Sequence, residues 1–163
     1  MKLILVRHPE TERNIKGELS GWEECEYSKL GREQFEKLSK YLSEIHLSIY
    51  SSDLPRAKLL AEEVARGHDV NLIIDKRLRE VNCRETLPHD SYESDEDLRE
   101  RVNLFLREIS EDCVIVSHAG VVRWIVTMFC GKEKGGMVSG FPRDTIFEIE
   151  TVKNENKLSI IRV

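Results

Sequence analysis

Three short stretches combine the residue types that grip and transfer an anionic group. Arg7 and His8 follow an apolar run; Ser51, Ser52 and Asp53 follow a second, with Arg56 three residues on; His118, Ala119 and Gly120 follow a third. An arginine presents forked N–H donors that match the oxygens of a tetrahedral oxyanion in pairs, which a lysine cannot do. Two guanidiniums around two imidazoles therefore describe a phosphate site. Helix starts after Ser52 and His118 would add free backbone N–H groups and partial positive charge. Two arginines with a protonated histidine would neutralise the anion without a metal. Taken singly, each residue reads as a polar strand end or a surface ion-pair partner. Their joint occurrence at three strand ends is what favours a shared site. His46 and His68 lack that placement and read as exposed loop residues, and His89 also lacks it.

The elements that must position these residues alternate between strand and helix. Lys2 to Val6, Ser48 to Ser51, Val70 to Ile74 and Cys113 to Ser117 are short, β-branched apolar runs of the kind buried in parallel sheets. Ser28 to Glu44 carries Leu30, Phe35, Leu38 and Leu42 at helical spacing, with Ser28 as its N-cap and Ile45 just beyond. A second helix starts at Pro55, which fits only a first turn, so Ser52 or Asp53 should cap it; Gly67 stops it. Ser94 opens a third, with Leu98, Val102, Phe105, Leu106 and Ile109 inward, and Val121 to Cys130 forms a fourth, closed by Gly131. Asp75 to Tyr92 reads as irregular. Thr145 to Glu150 and Leu158 to Val163 read as strands of a hairpin turning through Lys153 to Asn156. The expected fold is α/β: three layers, a mainly parallel sheet with helices on both faces and an antiparallel edge. In such sheets ligands bind beyond the carboxyl ends of the strands, where the three stretches fall.

The 163 residues suit one domain spanning 1–163. Acidic residues outnumber basic ones 30 to 25, which argues against a nucleic-acid partner. The longest apolar run near the N-terminus, Leu3 to Val6, is too short for a targeting or membrane segment, so the expected place is cytoplasmic, with no membrane partner. Cysteines 25, 83, 113 and 130 are widely spaced, which speaks against a metal site; Cys113 and Cys130 read as buried small hydrophobes. No GxxxxGK[ST] loop occurs, so nucleotide-triphosphate chemistry is disfavoured and no cofactor is called for.

The run LVRHPETERN from Leu5 to Asn14 resembles the LxRHGxTxxN signature of the histidine phosphatase superfamily, the phosphoglycerate mutase-like family. The resemblance continues in order through Gly21 and Trp22, Leu30 to Gln34, Ile49 to Ala57, Leu78 to Glu80, and Val116 to Gly120. It implies that His8 is a nucleophile forming phosphohistidine, that Arg7, Arg56 and His118 hold the phosphoryl oxygens, and that Asn14 adds a neutral hydrogen bond. Glu80 would be the general acid and then base, a role requiring a raised pKa. The substrate implied is a small phosphorylated metabolite.

Two departures from the family pattern matter. Pro9 replaces the usual glycine and removes one backbone donor. Only Val81 to Glu93 separate Glu80 from the next helix, where many relatives insert a cover. Little cover favours hydrolysis over return of the phosphoryl group. Trp22, Arg84, His89 and Tyr92 are candidate substrate contacts. The compact form is compatible with α-ribazole phosphatases; phosphohistidine protein phosphatases, a phosphoglycerate mutase and a silent phosphate-binding module are the alternatives.

Overall fold

The computed structural model describes residues 1–82 and 93–163. Six strands form one sheet in the order β3-β2-β4-β1-β5-β6: β1 Lys2–Arg7, β2 Ser48–Ser51, β3 Leu72–Ile74, β4 Cys113–Ser117, β5 Thr145–Val152 and β6 Glu155–Arg162. The first four are mutually parallel, and β5 and β6 run antiparallel at one edge. Among the described residues, six helices accompany them: α1 Glu12–Ile15, α2 Lys29–Leu42, α3 Pro55–Ala65, α4 Asp95–Glu108, α5 Ala119–Cys130 and α6 Lys132–Met137.

Strand alternation builds two cores. Leu3 and Leu5 of β1, with Cys113 and Ile115 of β4, face Leu98, Val102 and Phe105 of α4 and Val122 and Ile125 of α5. Ile4, Val6, Val114 and Val116 face the other way, onto Leu38 and Leu42 of α2 and Leu60 and Val64 of α3. Helices thus cover both faces, and β4 is buried at every residue. The α/β expectation holds: a mainly parallel sheet, helices on both faces and an antiparallel edge.

Several local expectations need correction. Neither Ser52 nor Asp53 caps α3; its N-cap is Leu54, with Pro55 at the first position. The Ser52 hydroxyl instead accepts the Leu54 N–H at 3.2 Å and contacts His118. Leu30 is exposed because it lies in the first turn of α2, before the helix meets the sheet. β3 begins at Leu72, not Val70. The hairpin strands run longer than expected and turn on Lys153 and Asn154, both at positive φ (50° and 66°), as a tight two-residue hairpin demands. Cys130 is half-buried, as is His68; Cys25, Cys113 and Cys130 are free thiols. Among the described residues, the stretch after β3 contains a 3₁₀ turn, Lys76–Leu78, capped by Asp75. No helix among the described residues is long and apolar enough to cross a membrane.

Candidate active site

Parallel register puts the three stretches together. Arg7 pairs with Ser117 and Ser51 with Val116, so β1, β4 and β2 end side by side. The His8 N–H donates to the Ser117 carbonyl at 2.9 Å and the Ser52 N–H to the Val116 carbonyl at 3.1 Å. The His8 and His118 rings therefore lie 5.2 Å apart, both buried. Arg7, His8, Asn14, Arg56 and Glu80 line one cavity of about 210 Å³, together with Gly120 and Arg123. His118 is not part of that lining; it sits against His8 and Ser52.

His8 is fixed in one tautomer. Its Nδ1 lies 2.7 Å from the Pro9 carbonyl, which can only accept, so Nδ1 carries the proton and Nε2 is left as the lone pair. Pro9 thus removes a donor but supplies the acceptor that orients the ring. Burial, followed by the charges of Arg56 and Arg7, pushes the His8 pKa well below the ordinary histidine value. His118 is pushed down as well, by burial, Arg56 and His8. Burial thus opposes the protonated histidine expected from the sequence, on either ring, and Arg56 and Arg7 beside them add to that opposition. Ser52 Oγ, already accepting from Leu54, is 2.9 Å from His118 Nε2 and can donate its proton there. The imidazole proton then sits on Nδ1, which is buried without a partner.

Arg56 is held by backbone carbonyls. Arg56 donates to the carbonyls of Glu23 at 2.9 Å and Gly21 at 2.6 Å, and Gly21 adopts positive φ (47°). The Nε atoms of Arg7 and Arg56 are buried without partners, donors suited to an oxyanion. Burial, then Arg143, lowers the Arg7 pKa to about 10, against the pull of Glu80. Asn14 Oδ1 accepts from the Thr11 N–H and hydroxyl at 3.1 and 2.9 Å, which turns its amide donors away from Thr11.

Glu80 is clamped at both ends. Its carboxylate accepts the N–H of Val81 at 3.0 Å and of Gly120 at 3.2 Å, at the start of α5. Its carbonyl accepts Trp22 Nε1 at 2.7 Å and Arg101 at 3.2 Å. A methyl group on Gly120 would lie 2.5 Å from Glu80 Oε1, so only glycine allows this approach. Trp22 therefore supports Glu80 and stacks under Arg79 at 4.6 Å. The other three candidate substrate contacts, Arg84, His89 and Tyr92, lie outside the described residues, as does Cys83. So does most of the connection after Glu80.

The strand-end reading missed Arg143. It precedes β5, which runs antiparallel to β1 with Ile146 beside Val6, so the start of β5 meets the carboxyl ends of the parallel strands. Applying the same edge rule to the first residues of antiparallel strands would have found it. Gln34 and Gly31 were also unassigned. Gln34 accepts the Glu10 N–H at 2.9 Å, and the Glu10 carbonyl lies 1.9 Å from where a Gly31 side-chain carbon would stand. The start of α2 thereby clamps the loop that follows His8.

Residues 3–86 match the histidine phosphatase superfamily, branch 1. The chain belongs to that family. Phosphoserine phosphatase 1 of Hydrogenobacter thermophilus is 40% identical over 83 residues, 50% of this chain and 39% of that protein. A probable phosphoglycerate mutase of Escherichia coli is 32% identical over a stretch of the same length. The match thus spans well under half the length of these curated relatives. The solved structure of a putative alpha-ribazole-5'-P phosphatase from Escherichia coli superposes with a TM-score of 0.79 at 22% identity, covering 100% of this chain and 96% of that one. This histidine phosphatase chain therefore shares the fold along its whole length. Among its described residues no group of three or more His, Cys, Asp or Glu could hold a metal ion.

Proposed function

We propose that the chain is a phosphomonoesterase working without a metal through a phosphohistidine on His8, acting on a small phosphorylated metabolite. The observation that carries this reading is the state of His8: a buried imidazole with Nδ1 tied to the Pro9 carbonyl and a pKa held low, which keeps Nε2 unprotonated. Arg7, Arg56 and Asn14 line the same cavity and supply donors for the equatorial oxygens. The arginines supply the positive charge that a metal would otherwise bring.

The chemistry balances on these residues. The Nε2 lone pair attacks phosphorus as the phosphorus–oxygen bond to the alcohol breaks, and protonated Glu80 gives its proton to the departing oxygen. Glu80, now a carboxylate, takes a proton from water as that water attacks phosphorus, the P–N bond breaks and phosphate leaves. A phosphate dianion offsets the arginines and so makes protonation of His118 more favourable.

The experiment is hydrolysis of p-nitrophenyl phosphate with chelator present, together with trapping of acid-labile, base-stable phosphate on the protein. Turnover that needs added metal, or full turnover by His8→Ala, overturns the proposal. A silent phosphate-binding module would leave no covalent phosphate. A mutase would return the phosphoryl group to a sugar acid rather than to water.

A further inference from the structure

Two cavities meet beside Glu80. The one that holds His8 encloses about 210 Å³. Its neighbour encloses about 520 Å³ and shares Val81, Gly120 and Arg123 with it. In an in-line displacement the leaving oxygen departs opposite the attacking Nε2. Glu80, the proposed proton donor to that oxygen, rests on the Gly120 N–H, and Gly120 lines both spaces. The departing alcohol therefore faces the larger cavity.

The described lining of that cavity is cationic. Gly120, Arg123, Trp124 and Thr127 follow one stripe of α5, at spacings of three and four residues, and run outward from the site for about 10 Å. Arg99 comes from α4 and Lys132 from α6. Against these three cations, Asp95 is the only carboxylate among the described lining residues. Arg99 is already engaged: it lies 3.5 Å from Glu96 and stacks on the Trp124 ring at 4.9 Å, while Trp124 Nε1 donates to Asn103 at 2.9 Å. No described carboxylate pairs with Arg123 or Lys132, so these two charges are free for a ligand.

We infer that the larger cavity receives the alcohol part of the substrate, and that this alcohol carries a second anionic group, a carboxylate or a phosphate, met by Arg123 and Lys132. This rests on the phosphomonoesterase reading and narrows its substrate class. Arg123 sits one helical turn from Gly120, so the second charge belongs about 5–10 Å from the transferred phosphorus. That is the reach of a short hydroxy acid or a diol bisphosphate. A neutral alcohol such as a nucleoside would leave both cations unmet.

The test compares kcat/KM for three esters of similar length: propane-1,3-diol monophosphate, propane-1,3-diol bisphosphate and 3-phosphoglycerate. The acidic esters should exceed the neutral one by about tenfold or more, the worth of a hydrogen bond to a charged group. Which acid leads tells carboxylate from phosphate. Lys132→Gln should raise KM for the acidic esters and cut the acidic-to-neutral ratio severalfold. Arg123→Gln with Lys132→Gln should bring it near one. Should the double variant fold poorly, the single Lys132→Gln ratio decides, since Lys132 lies on the exposed surface. A ratio near one in the unaltered chain, or one that survives these substitutions, overturns the inference while leaving the phosphomonoesterase reading intact. Absence of hydrolysis on all three overturns the inference, and absence of p-nitrophenyl phosphate hydrolysis as well overturns the reading beneath it.

Discussion

Gly120→Ala separates the placement of Glu80 from the stability of the fold. The added carbon would stand 2.5 Å from Glu80 Oε1 and 3.4 Å from Leu98 Cδ1. The leucine contact is tolerable; the carboxylate contact is not. Glu80 ends a flexible side chain, so it retreats by about 0.5–1 Å and gives up the Gly120 N–H, now at 3.2 Å. A misplacement of about 1 Å costs on the order of 10²-fold in rate. Complete removal of the general acid, as in Glu80→Gln, sets a floor of about 10²–10⁴-fold. The backbone does not suffer, because alanine is the better helix former by up to about 1 kcal/mol. The assay is kcat/KM, which reports only phosphoryl transfer to His8 and not the shared hydrolysis step, on an alkyl phosphate and on p-nitrophenyl phosphate, alongside thermal unfolding. The alkyl ester, whose leaving oxygen needs a proton, should lose about 10²-fold. The p-nitrophenyl ester, whose leaving group departs without one, should lose less than about tenfold, and Tm should hold or rise. An unchanged alkyl rate would refute the argument. An equal loss on both esters would place the damage at the phosphate rather than at proton transfer.

Acid should destabilise the chain through its buried histidines. His8 and His118 are held neutral in the fold, whereas in the unfolded chain each takes a proton near pH 6.5. Below that pH the unfolded state binds more protons, so stability falls as pH drops, by about 2.5 kcal/mol for the pair between pH 7 and 5.5. Urea unfolding at the two pH values measures this; His8→Asn should remove about half of the loss, and a flat profile would contradict the burial. Gly31→Ala, whose new carbon would overlap the Glu10 backbone rather than a movable side chain, should cost about 2–4 kcal/mol in the same assay. Trp22→Phe deletes the 2.7 Å bond to the Glu80 carbonyl. It should lower kcat on alkyl phosphates severalfold, for about 1 kcal/mol of lost positioning, with little change in KM; an unchanged kcat would show that Arg101 alone holds that carbonyl.

Much of the fold was legible because it rests on local pattern. The apolar runs at Leu3 to Val6 and Cys113 to Ser117 could be buried strands from their composition alone, and Ser28 and Ser94 marked helix starts by their side-chain chemistry. The grouping of Arg7, His8, Arg56 and His118 followed from a general property of parallel sheets, that ligands gather at carboxyl ends. What local pattern lacks is any record of which long-range partner a residue meets. Ser52 looked like a cap because its competing partner, His118, is 66 residues away.

By itself, then, the order of residues determined the alternating strands and helices, the chemistry-bearing groups and the edge at which they collect. Only the tertiary structure decided their protonation and their neighbours. Burial beside Arg56 and His8 opposes a charge on His118, Arg143 arrives ahead of an antiparallel strand, and Gly120 leaves just enough space for the Glu80 carboxylate. These are consequences of desolvation and of contact at the ångström scale, which arise when distant segments pack and have no signature in spacing or composition.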